Sequence, residues 1–358
     1  MRSNRIILTL FLFTLLLVII SSSSTTKEHN TTRYPFGELK SFPPLPKNDN
    51  TPTIEGVALG RQLFYDSILS LNNTISCGSC HKQEFAFADA SKQFSTGING
   101  KKLRRNTLPL FNLGWYNNLF WDGKATSIEE QVFHPVTAHN EMNLSWELAT
   151  KRIQANKKYR KLFYEAFGKV TIDSNLIAKA IGQFERTLIS NNSKYDRVLR
   201  GDAYFTADEY EGFVIINEQS RGDCLHCHTS DADALGTIVG FSNNGLSNST
   251  RAVDYSDKGR AEVTGDSNDI GKFKIPSLRN VAVTAPYMHD GRFETLEEVL
   301  NFYSEGVNLS YNIDAKMGYA HQGGIKLSIK EKEQVIAFLH TLTDHTFLSN
   351  PSYSNPHN

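Results

Sequence analysis

The sequence predicts an all-α chain in two tandem domains, and three observations carry that expectation. No run of alternating apolar and polar residues marks a set of strands. Helix-opening signals and apolar stripes at helical spacing recur instead. A five-residue motif, Cys-x-x-Cys-His, stands at 77–81 and again at 224–228, and so falls in each half. The length of 358 residues fits about two domains. Lys and Arg total 38 and so do Asp and Glu, a balance of zero that argues against nucleic acid as a partner held by bulk charge. With 39% apolar and 21% charged residues, the chain has material for a core and too little charge for disorder.

Taken in chain order, the first segment is a leader. Arg2 and Arg5 are basic, 6–20 is almost wholly apolar, and Ser21, Ser22, Ser23 and Ser24 are small, so 1–24 reads as a secretory signal peptide. The apolar run of 15 residues is shorter than the roughly 20 a spanning helix needs. Cleavage, a periplasmic location and no membrane contact for the mature protein are expected. Residues 25–52 are polar and Pro-rich, a lead-in outside the core. The first domain is placed at 53–195. Within it Thr126-x-x-Glu129 and Ser127-x-x-Glu130 overlap as capping boxes. Leu176, Ile177, Ala180, Ile181, Phe184 and Leu188 form one helical stripe. The polar stretch 190–196 and Arg200-Gly201-Asp202 are candidate joints. The second domain is placed at 196–345. Thr206-x-x-Glu209 opens a helix expected to run into the second motif, and Ser328-x-x-Glu331 caps a helix carrying Val335, Ile336, Leu339 and Leu342. Residues 346–358 are left as a tail.

The cysteines say more than their number. Cys77, Cys80 and His81, then Cys224, Cys227 and His228, use every cysteine of the chain. Two thiols at this spacing can each add to one haem vinyl group, and the next residue brings its imidazole to the iron; this is the c-type haem signature. A zinc ribbon would place its pairs roughly 15–20 residues apart, whereas here the gap is 224 − 80 = 144 positions. The expected cofactors are two covalent c-type haems, and the expected domains are cytochrome c-like. His226, inside the second motif, reads as a surface residue. The other axial face of each iron decides between electron transfer and catalysis. Met142, Met288, Met317, His134, His139, His289, His321 and His340 are the candidates, and composition does not choose among them.

A wider set of strings carries a family likeness. LGRQLFYDSILS (59–70), RNTLPLFN (105–112), FWDGKATSIEEQ (120–131), NEM (140–142), IPSLRNVAVTAPYMHDGRF (275–293) and FLHTLT (338–343) accompany the two motifs in order. In them the chain resembles the bacterial di-haem cytochrome c peroxidases and their MauG-type relatives. The resemblance implies a peroxidatic first haem on His81 and an electron-relaying second haem on His228. It makes Glu141 the acid–base carboxylate over the first iron and Gln131 the residue that orients peroxide or water. A carboxylate there can move a proton from one peroxide oxygen to the other. Trp121 matches the indole between the haems, and Phe120 walls the pocket. Asn106, Thr284 and Pro286 match an inter-domain Ca²⁺ site built from one amide oxygen and two backbone carbonyls, and hard oxygen ligands suit that ion. The implied partners are H2O2 and a small electron-donor protein, a cytochrome c or a cupredoxin. Family members are often homodimers.

Two departures from the family pattern bear on mechanism. The loop 94–100 reads Phe-Ser-Thr-Gly-Ile-Asn-Gly and lacks the histidine that closes the first iron in typical peroxidases. An open first iron is expected, with His134 and His139 as substitutes. At 289 + 14 = 303 the typical methionine is replaced by Tyr303, as in MauG-type proteins. Tyr303 is therefore the expected distal ligand of the second iron, with Met317 as its rival; a phenolate favours the ferric state. Three functions compete: a peroxidase, a MauG-like oxidase that modifies side chains of a partner protein, and a non-enzymatic electron carrier.

Overall fold

Two helix crossings organise the chain. The computed structural model describes residues 29–37, 39, 42–228 and 240–357. In the first crossing the Ile54–Tyr65 helix lies on the Ser174–Thr187 helix. Leu59, Leu63 and Phe64 meet Ile177, Ala180, Ile181 and Phe184, all fully buried. Each such side chain contributes about 1.5–3 kcal/mol over exposure. Gly60 allows the approach, since a Cβ there would meet the Ala180 carbonyl oxygen at 1.9 Å. In the second crossing the Ala207–Asn217 helix lies on the Ile329–Thr341 helix. Gly212 serves it in the same way, with the Gln334 carbonyl oxygen 2.0 Å from an added Cβ. Ile215, Ile216, Val335, Phe338 and Leu342 fill this core.

The caps follow the sequence with one correction. Thr206 with Glu209, and Ser328 with Glu331, form full capping boxes. Ser127 caps the Ile128–Thr137 helix, and Glu130 reaches back to the Thr126 backbone N–H at 2.8 Å. Glu129 does not cap. It turns inward and takes a bidentate ion pair with Arg186 of the Ser174–Thr187 helix, because a half-buried carboxylate is more stable against a guanidinium than against one backbone donor. The Ala207–Asn217 helix does not run into the second motif: it ends at Asn217, and Glu218 to Asp223 turn the chain before the motif begins.

The structure is largely helical, but 240–293 is not. It holds single turns and one short antiparallel pair, Phe241–Ser242 with Phe273–Lys274. Left-handed Gly245, Gly259, Gly265, Gly271 and Asn280 repeatedly redirect it.

Two stretches expected at the margins, and one expected as a joint, pack inside. Phe42 of the lead-in lies edge-on to Trp115 at 5.2 Å, and Asn50 accepts from Gln183 at 2.9 Å. The tail returns to the first core: Phe347 packs on Phe87, and the Tyr353 hydroxyl donates to the Thr187 carbonyl at 2.8 Å. The stretch 190–196 is polar because it is a buried network. Ser190, Ser193 and Asp196 are fully buried, Asp196 takes both guanidinium nitrogens of Arg279 at 2.7 and 2.8 Å, and Asp344 accepts from the Asn191 and Asn192 backbones. Residues 31–358 form one compact unit, with one core drawn from 57–188 plus Phe347 and Tyr353 and another drawn from 195–342. The leader 1–24 lies outside the described residues. Among those described, no helix is long and apolar enough to cross a membrane.

Candidate active site

Each Cys-x-x-Cys-His motif sits on a single helical turn, and each histidine is set by the same device. In the first, Ser76 and Ser79 close a capping box around Cys77–Cys80, and the His81 N–H bonds the Cys77 carbonyl at 2.9 Å. His81 Nδ1 lies 2.6 Å from the Phe87 carbonyl. Ala86 and Phe87 are both left-handed, which turns that carbonyl toward the ring. In the second, the His228 N–H bonds Cys224 at 2.8 Å, and its Nδ1 lies 2.8 Å from the Pro276 carbonyl. A backbone carbonyl on Nδ1 fixes the tautomer that leaves Nε2 as a donor atom. Burial lowers the pKa of both rings, which keeps them neutral. All four thiols are free. His226 is nearly half exposed and lies 3.1 Å from Asp223.

Each motif opens onto its own cavity. The first has a volume of about 710 Å³ and is lined by Cys77, Cys80 and His81 together with Phe120, Gln131 and Glu141. The second, about 230 Å³, is lined by Cys224, Cys227 and His228 with Met288, Tyr303 and Met317. Trp121 lines both. It is held there by its own Nε1–H, which donates to the Asn106 carbonyl at 2.8 Å, and by its carbonyl, which accepts from the Lys274 N–H at 2.8 Å. The tight loop Leu119–Ala125 presents it: Leu119 bonds back to Ala125, Phe120 and Gly123 are left-handed, and Asp122 is paired with Arg105.

Glu141 sits on a turn closed by its own N–H to Ala138. Its carbonyl accepts from Ile98 at 3.0 Å, and Asn99 donates to the His139 carbonyl at 3.3 Å, so the loop 94–100 is fastened to the segment that carries the carboxylate. Burial raises the Glu141 pKa, with Lys124 working the other way. That is the direction a proton-carrying carboxylate needs. Gln131 lines the cavity from the Ile128–Thr137 helix. His134 packs edge-on to Phe120 at 5.3 Å and His139 approaches Lys101 at the surface; neither lines the cavity.

In the second cavity the Tyr303 hydroxyl accepts from Asn244 Nδ2 at 3.0 Å, and burial pushes its pKa up to about 12. His289 also lines this cavity, stacked on Phe273 at 3.5 Å and held near pKa 4 chiefly by burial. His321 and His340 are exposed and line neither cavity. Asn106 is brought beside 284–291: its N–H bonds the His289 carbonyl at 2.7 Å, and its side-chain nitrogen faces the Gln93 carbonyl at 3.1 Å. The Thr284 hydroxyl bonds Val281, and Pro286 follows a cis peptide.

Two lining residues escape a reading of the sequence. Glu185 is fully enclosed at the first cavity, its Oε2 has no partner, and burial, offset by Arg186 and reinforced by Glu129, lifts its pKa to about 8. Its signal was positional: it falls four residues after Ile181 on a helix whose C-terminal half is buried all round. Lys274 lines both cavities, and its signal was a lone cation inside the apolar string Phe273, Ile275, Pro276.

Comparison with known proteins agrees with this arrangement. Residues 54–204 match the family model of the di-haem cytochrome c peroxidases. The chain is 33% identical to the methylamine utilization protein MauG of Methylorubrum extorquens, over 86% of this chain and 83% of that one. It is 32% identical to the cytochrome c551 peroxidase of Nitrosomonas europaea, over 80% of this chain and 79% of that one. A crystal structure of a MauG-like protein associated with microbial copper homeostasis superposes with a TM-score of 0.81 at 34% identity, covering 91% of this chain and 100% of that one. The chain belongs to the di-haem cytochrome c peroxidase family and is an oxidoreductase of the peroxidase type.

Proposed function

We propose that the chain reduces hydrogen peroxide to water at the first cavity, with electrons that enter at the second. The observation that carries this reading is the first cavity itself, where Glu141, Gln131 and Trp121 line the same space as His81 and, among the described residues, no second histidine does. The family implies two c-type haems, and the residues fit them: each cavity holds a pair of free thiols and an imidazole whose Nδ1 is already engaged. Cys77 and Cys80 would attach one haem and Cys224 and Cys227 the other, with His81 and His228 on the irons. When bound, these haems supply the redox iron at which peroxide is reduced and the iron that passes electrons on.

The chain's own residues handle the protons. The balanced reaction takes one peroxide, two protons and two electrons to two waters. Glu141 takes the proton from one peroxide oxygen and returns it to the other, which leaves as water; such transfer contributes about 10²–10⁴-fold. Gln131 orients the peroxide with its amide. Trp121 couples the two cavities. Tyr303, whose oxygen accepts from Asn244, would help hold the second iron, and Asn106, Thr284 and Pro286 would hold Ca²⁺. Domains at 53–195 and 196–345, export to the periplasm and a small soluble donor complete the reading.

One observation favours a second reading. The loop without a histidine and the tyrosine in the second cavity are shared, in the pattern described above, with MauG-type proteins, which would make the substrate a side chain of a partner protein. A steady-state assay with reduced c-type cytochrome and peroxide separates the two. Many turnovers of donor oxidation per protein are expected. Two oxidising equivalents consumed and then arrest would overturn the peroxidase in favour of the MauG-like reading.

A further inference from the structure

Lys274 places an ammonium at the seam of the two cavities. The residue is 7% exposed. Its backbone N–H fixes it beside Trp121, and its Nζ stands 3.7 Å from the centroid of the Tyr116 ring, which lines the first cavity only. Among the described residues no carboxylate pairs with it, and burial alone pushes its pKa down to about 7. The carboxylates lining the first cavity answer to other cations: Asp122 pairs with Arg105 and Glu262 with Arg104, while Lys124 acts on Glu141 and Arg186 on Glu185. A ring face offsets only part of the cost of desolvating an ammonium, and buried charges are otherwise paired. A cation held at a cavity mouth without its anion is a half-built ion pair.

We infer that Lys274 is the counter-cation of a carboxylate brought by the cofactor of the first cavity, a haem propionate, on the edge that faces Trp121. The inference rests on the di-haem reading above. It gives Lys274 a positioning role: it fixes the cofactor edge against the indole and lends positive charge that favours the reduced state of the nearer iron. Because Nζ leans on Tyr116, the first haem should feel the charge more than the second.

The test is a potentiometric titration of holoprotein carrying Lys274→Gln, Lys274→Arg or the control Lys272→Gln. Lys272 lies two residues away, is partly buried, lines neither cavity and is paired with Asp269 at 3.3 Å. Haem content is measured first: protein that takes up fewer than two haems even as the unmodified chain overturns the di-haem reading. With two haems bound, Lys274→Gln should move the first potential negative by about a tenfold change in its one-electron equilibrium, about 59 mV. Lys274→Arg should restore most of it, and Lys272→Gln should leave both potentials in place. Unmoved potentials, or a shift confined to the second haem, overturn the role of Lys274 and leave the di-haem reading standing. Should Lys274→Gln fail to load, a crystal structure of the unmodified holoprotein decides. Nζ within about 3.2 Å of a propionate oxygen supports the pair, and Nζ bound only to water or protein overturns it.

Discussion

The two cavities share one motif and one histidine device, and they differ in the rest of their lining. The first is about 710 Å³ and joins His81 with two glutamates and a glutamine, one of the glutamates with a buried oxygen that has no hydrogen-bond partner. The second is about 230 Å³ and joins His228 with Tyr303, Met288 and Met317. Oxygen and sulfur donors near an iron close it, whereas room and a proton carrier leave it reactive. The contrast teaches that one motif repeated in two places can serve different chemistry, because the remaining walls differ.

The sharpest way to break the contrast is at the carboxylate. Glu141→Gln should cut kcat/KM for peroxide by about 100-fold or more, while Met317→Leu in the second cavity should change it less than about threefold, a difference at the chemistry worth roughly 2 kcal/mol or more. Equal losses in both would mean that the first wall is not special. Glu185 sharpens the same contrast through pH. Its folded pKa of about 8 stands above the ordinary 4.5, so the folded state holds a proton that the unfolded chain releases. Stability therefore falls as pH rises from 4.5 to 8, on the order of 5 kcal/mol in all. Denaturant melts of Glu185→Gln should lose most of that slope; an unchanged slope assigns it to other groups.

The helix crossings give a smaller effect and the opposite expectation, namely equality. Gly60→Ala and Gly212→Ala each push a Cβ into a backbone carbonyl and should each cost about 1–3 kcal/mol in a thermal melt. A cost at only one would show that the lobes are not built alike. Least disruptive is Tyr303→Phe. It should abolish or shift the low-spin EPR signal of the second haem and leave cyanide binding at the first within about twofold, given that effects at well-separated sites are nearly additive. An unchanged spectrum would remove Tyr303 from the iron.

Some of this was legible in the residues. The two motifs, the stripe from Ile177 to Phe184 and the boxes at Thr206 and Ser328 are local patterns: spacing within a few residues dictates them, and the structure reproduces them. Glu129 was misread because its partner, Arg186, is 57 positions away. The stretch 190–196 does lie between the two cores, but its burial was not legible, because polar residues announce solvent unless a distant Arg279 and Asp344 bury them. Phe42, Phe347 and Tyr353 lie in segments too short to show periodicity, so only their contacts reveal them as core.

The sequence by itself determined the two Cys-x-x-Cys-His motifs, the helical character of the chain and the residue types available for proton transfer, since each rests on local spacing and on side-chain chemistry. Only the tertiary structure decided that Trp121 and Lys274 line both cavities, that one carboxylate oxygen of Glu185 is buried without a hydrogen-bond partner, and that the histidine-free loop is fastened to Glu141. The physical reason is range: a motif is fixed by neighbours along the chain, while a shared wall, a missing counter-charge or a fastened loop is fixed by groups that meet only when distant segments pack.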